Sequence, residues 1–169
     1  MEDRFDIFKF EQCSDGGELF LHENGHVVVL FETKDGYGKQ RIPEDADNLV
    51  CEQILYYPDT LTVRSKGHFL KRGDVKIGTW SFYGVGGELE REIDHDKDFL
   101  VKWEQMLPIL DQNDINLEQV KFINRTIAKN GMPQWVFQME SKTRTIDKYV
   151  FNASDGSLVE HSITELNPF

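Results

Sequence analysis

A chain of 169 residues that is 39% hydrophobic and 29% charged, with 12 Phe, 5 Tyr and 3 Trp, has the apolar surface to build a core and is not a disordered polymer. Its formal charge of −11 argues against nonspecific nucleic-acid binding, which depends on cations at phosphates. No apolar run approaches the roughly 18 residues of a membrane-crossing helix, and acids stand near the start where a secretory leader carries bases, so a cytoplasmic protein is expected.

Alternation with a period of two dominates the first half. Phe5 and Ile7, with Phe8 and Phe10, begin a first expected strand. Leu19–Leu21 and Val27–Phe31 flank Asn24-Gly25, the preferred pair for a two-residue hairpin turn. Asp35-Gly36 marks the next turn, and 43–48 reads as an acidic loop. Cys51–Tyr57 and Leu61–Phe69 are two further strands, and Val75–Tyr83 with Glu88–Ile93 forms a hairpin around Gly84–Gly87.

The period then changes. Phe99, Leu100, Trp103, Met106, Leu107 and Leu110 make one face of an amphipathic helix over about 97–110, with Asp96 or Asp98 placed to cap it and Pro108 expected to kink or shorten its last turn. Residues 117–129 fit helix or strand equally. Gln134–Glu140 predicts a strand with Trp135, Phe137 and Met139 on one face, 141–144 a solvated turn, and Tyr149–Asn152 with Leu158–Ile163 a closing hairpin. The expected fold is α+β: a single domain over 1–169, with an antiparallel meander over 1–93 and a helix plus C-terminal hairpins over 94–169 sharing one core.

Chemistry-bearing patterns are few. Asp94-His-Asp-Lys-Asp98 opens like a calcium loop, but the sixth position is Phe99 instead of Gly and the twelfth is Gln105 instead of Glu, so it reads as a strand-to-helix turn. His22 and His26 could face each other across a hairpin, yet two imidazoles make a poor zinc site. Cys13 and Cys51 lack metal-ligand spacing and read as buried hydrophobes. No phosphate-cradling or nucleophile motif is present, so no catalytic residue, cofactor or metal is expected. A hydrolase using Asp94 or Asp96 would need a pocket.

Charge is unevenly placed: residues 61–87 hold five Lys or Arg and one acid, whereas 88–98 hold six acids and two bases. Glu88, Glu90 and Glu92 alternate along a strand, which predicts three carboxylates on one exposed face. With Asp94, Asp96 and Asp98 they make an acidic strip suited to a basic partner, helped by Tyr83, Tyr56 and Tyr57 where exposed. A competing surface is the basic run Arg64, Lys66, Lys71, Arg72 and Lys76.

Gly78-Thr-Trp80-Ser-Phe-Tyr83-Gly-Val-Gly-Gly87-Glu-Leu89 resembles the repeat unit G-x-W-x-x-Y-x-x-x-G-x-L of MORN-like antitoxin and immunity proteins. In that hairpin Trp80 and Leu89 would pack across the strands, Tyr83 would end the first strand, and Gly87 would supply a positive φ. Asp147–Leu158 resembles the closing hairpin of a PepSY-like module. The first resemblance implies an immunity protein that binds a cognate toxin with a basic surface, without nucleic acid, membrane or cofactor. The alternative it implies is a non-catalytic scaffold for lipid or protein partners.

Overall fold

The computed structural model describes residues 4–13, 17–140 and 145–165, so the turn expected at 141–144 lies outside the described residues. It forms two compact units, Met1–Lys71 with Lys76–His95, and Arg72–Val75 with Asp96–Phe169. The architecture is α+β, with antiparallel sheets of seven and four strands, each a meander.

The first unit holds α1 (Ile7–Cys13) and strands β1 (Glu18–Glu23), β2 (His26–Thr33), β3 (Gly36–Pro43), β4 (Val50–Tyr56), β5 (Val63–Leu70), β6 (Val75–Tyr83, all but its first residue) and β7 (Leu89–Asp94). Strands follow one another in space as in sequence because short turns join them. Asn24 and Gly25 both take positive φ, 50° and 74°, as the expected hairpin turn requires. Glu18 to Glu23 then pair residue for residue with Phe31 to His26.

The expected first strand is instead the short helix α1. Asp6 caps it: Oδ1 accepts from the Lys9 amide at 3.0 Å and the Asp6 carbonyl accepts from the Phe10 amide at 3.1 Å. Among the described residues of this segment, Arg4 alone keeps a strand-like bridge, to Thr62. Phe5 and Phe10 are buried with Leu19, Val28, Leu30, Ile54 and Tyr56, while Phe8 is 75% exposed. These residues form the core on one face of the seven-stranded sheet. On the opposite face Gly67 lies beneath the Trp80 ring, whose Nε1 donates to the His68 carbonyl at 2.9 Å.

The second unit holds α2 (Trp103–Gln112), a 3-10 turn at Leu117–Gln119, and strands β8 (Val120–Ile127), β9 (Pro133–Glu140), β10 (Thr145–Asn152) and β11 (Leu158–Glu165). The ambiguous 117–129 is thus mainly strand. Trp135, Phe137 and Met139 are buried on one face of β9, as the alternation predicts. Across the strands, Tyr149 and Phe137 share a register position, as do Phe151 and Trp135.

Helix α2 starts at Trp103, six residues later than expected, and neither Asp96 nor Asp98 caps it. The reason is local. The Val101 amide donates to the Ala153 carbonyl at 2.7 Å, and the Val101 carbonyl accepts from Trp135 Nε1 at 2.8 Å. That commitment holds 99–102 out of the helix, and Gln105 Oε1 then accepts from the Lys102 amide at 2.9 Å at the helix entry. Pro108 does not shorten the last turn; the helix runs four residues past it.

Candidate partner-binding surface

The hairpin that carries the sequence resemblance occupies the end of the seven-stranded sheet. Gly87 has φ 88°, and its amide donates to the Gly84 carbonyl at 2.9 Å, closing the tight turn. The Tyr57 hydroxyl donates to the Tyr83 carbonyl at 2.8 Å and Thr62 Oγ1 donates to the Val85 carbonyl at 3.2 Å, tying the hairpin to its neighbours. Tyr83 ends β6 as expected. The Trp80–Leu89 contact is not formed. Trp80 is opposite Ile93, Leu89 is opposite Tyr83, and Leu89 is 55% exposed.

A register shift explains this. Phe82 pairs with Arg91 and Tyr83 pairs with Leu89, so Glu90 is the extra residue of a bulge. The bulge also breaks the expected single-faced row of carboxylates. Glu90 and Arg91 both line one groove, while Glu92, on the other face, accepts from Ser81 Oγ at 3.0 Å. Glu88 folds over the turn, where a Cβ on Gly84 would meet its Oε1 at 2.2 Å. All six residues of β7 are exposed, and β7 ends the sheet.

The six acids of the expected strip do not share one environment. Glu88, Glu90, Glu92 and Asp94 belong to the first unit, Asp96 and Asp98 to the second. Asp98 is exposed, but the Asp96 side chain is 9% exposed and pairs with Arg125 Nη1 at 2.5 Å. Arg125, itself 7% exposed, lies with Cζ 4.5 Å from the Phe99 ring centroid and 5.1 Å from that of Trp135. Asp96 is therefore a structural acid. Tyr56 is fully buried and offers no contact surface, whereas Tyr57 and Tyr83 are half-buried.

The basic run is divided as well. Lys71 Nζ donates to the carbonyls of Pro43 and Asp45, and Arg72 donates to the Leu117 carbonyl. Lys66 sits over Tyr83 and Lys76 over Trp80, at 5.4 and 4.2 Å from the ring centroids. Arg91 adds a cation that lay outside the predicted run, with Cζ 4.4 Å from the Phe82 centroid. Its position opposite an aromatic residue on a paired strand was the available sequence signal.

The histidines do not converge. His22 is opposite Val27 and His26 opposite Glu23, which puts the two rings on opposite sheet faces. His22 Nδ1 contacts Glu44 Oε1 at 2.7 Å, and His26 Nδ1 contacts the Asn24 carbonyl at 3.0 Å. Among the described residues no group of three or more His, Cys, Asp or Glu side chains is arranged to hold a metal ion. Cys51 is fully buried, in keeping with a small hydrophobe; the Cys13 side chain lies outside the description.

Three groups in the second unit have shifted protonation. Burial, and then the charge of Asp147, raises Tyr149 above 10.0. Hydrogen bonds from Ser157 lower Asp155, and hydrogen bonds from Lys148 and Ser162 lower Glu160. Compared with models of known protein families, with curated proteins and with solved structures, the chain matches none.

Proposed function

We propose that the chain is a binding module that recognises a basic partner protein along the outer edge of β7, acting as an immunity protein that neutralises a cognate toxin. The observation that carries this reading is that β7 is the last strand of its sheet and all six of its residues are exposed. A terminal strand offers unpaired backbone groups to an incoming strand, and side chains on alternate positions then select the partner. Glu92 lies on one face of that edge and Glu88 at the hairpin tip, so a basic segment would be drawn toward it. The toxin-neutralising role rests on the likeness of residues 78–89 to the MORN-like repeat, an analogy of local pattern.

The test is co-purification with the product of the adjacent gene, followed by association kinetics with Glu88→Lys and Glu92→Lys. Charge reversal at both positions should slow association about tenfold at low salt and flatten its salt dependence. Failure to form a complex with that product, or a complex indifferent to both reversals, would discard the reading.

A further inference from the structure

We propose that the groove across β4–β7 binds an extended acidic peptide segment, with its carboxylates on Arg64 and Arg91. The inference stands apart from the reading of the β7 edge, since it uses the opposite charge on the face opposite Glu92. The groove encloses about 480 Å³, a volume typical of ligand sites. Three cations line it against one carboxylate, Glu90, in a molecule whose formal charge is −11. A local excess of positive charge in an acidic molecule selects anions there and rejects basic segments.

Its floor holds a small polar side chain. Ser65 is 3% exposed and lines the groove.

The cations are positioned by aromatic rings. Lys76 Nζ lies over Trp80 and Arg91 Cζ over Phe82, at 4.2 and 4.4 Å from the centroids. Arg64 Nη1 donates to the Asp35 carbonyl at 3.2 Å, a contact that fixes the side chain without neutralising it. Ring contacts hold a guanidinium while leaving donors for a planar carboxylate.

Geometry favours a peptide over a compact ion or a nucleic acid. The lining residues come from four neighbouring strands, so the groove crosses three spacings of about 4.8 Å, or roughly four residues of extended chain. A nucleic acid would need open ring faces for its bases. Here Trp80 has Gly67 beneath it and Lys76 above it, and Arg91 covers Phe82.

The full chain, labelled with 15N, is titrated with an end-blocked tetra-glutamate peptide while the Trp80 indole and Arg91 signals are followed. Saturable shifts with Kd below about 1 mM are expected. Arg91→Glu and Arg64→Glu should each weaken binding at least about fivefold while the variants melt like the parent, and Arg91→Lys should retain most of it. Glu92→Lys, on the other sheet face, should leave peptide affinity within about twofold, which separates this site from the edge reading. Absence of shifts, equal affinity for tetra-lysine, equal affinity for inorganic phosphate, tighter binding of a single-stranded oligouridylate, or indifference to Arg91→Glu would each overturn the proposal.

Discussion

Asp96→Ala separates a structural acid from a recognition acid. The carboxylate it removes is 9% exposed and 2.5 Å from a guanidinium that is 7% exposed. A solvent-exposed pair is worth about 0–1 kcal/mol, whereas breaking a buried one costs about 3–5 kcal/mol because the remaining charge stays in a poor solvent. The near-complete burial of both partners puts this pair in the second class. The contacts of Arg125 with Phe99 and Trp135 persist in the variant and hold the charge in place. Urea unfolding followed by tryptophan fluorescence should therefore give a loss of about 3–5 kcal/mol. The double variant Asp96→Ala/Arg125→Met, which removes the buried cation as well, should recover much of it. A loss under about 1 kcal/mol, or a double variant weaker than the sum of the single ones, would refute the reasoning.

Gly67→Ala should destabilise by about 1–3 kcal/mol, since its Cβ would stand 2.4 Å from two atoms of the buried Trp80 ring. Gly25→Ala, with φ 74° and nothing within 4 Å, should cost only the backbone strain of about 1 kcal/mol, and thermal melts of the two variants compare them. The Glu160 carboxyl is held below 4.5 by hydrogen bonds from Lys148 and Ser162. A carboxylate lowered in the fold stabilises above its unfolded value, and that stabilisation is lost as pH falls through the lower folded value. Lys148→Met should move the Glu160 midpoint up toward 4.5 in an NMR titration, and a midpoint that stays put would remove the assigned cause.

How much of this was legible depended on whether local chemistry decided the outcome. The Asn24-Gly25 turn, the Val75–Tyr83 strand and the buried face of Trp135, Phe137 and Met139 follow from turn chemistry and alternation alone. The N-terminal helix is masked in the sequence because Phe5 and Ile7 imitate a period of two. Asp6, a capping residue three positions before Lys9, is the local sign of the helix. The late start of α2 was not legible, because it is set by bonds from Val101 to Ala153 and Trp135, more than 30 residues away. The candidate site was half legible: its acids were visible, but the bulge at Glu90 that divides them between faces depends on the pairing with β6. The burial of Asp96 required Arg125 to arrive from β8.

The divided faces of β7 have a consequence for fidelity. Arg91 projects to one side of this strand and Glu92 to the other. A guest segment that adds alongside must bring a base where it meets Glu92 and an acid where it meets Arg91. Sliding such a guest by one place turns both attractions into repulsions, so the edge proofreads alignment as well as composition.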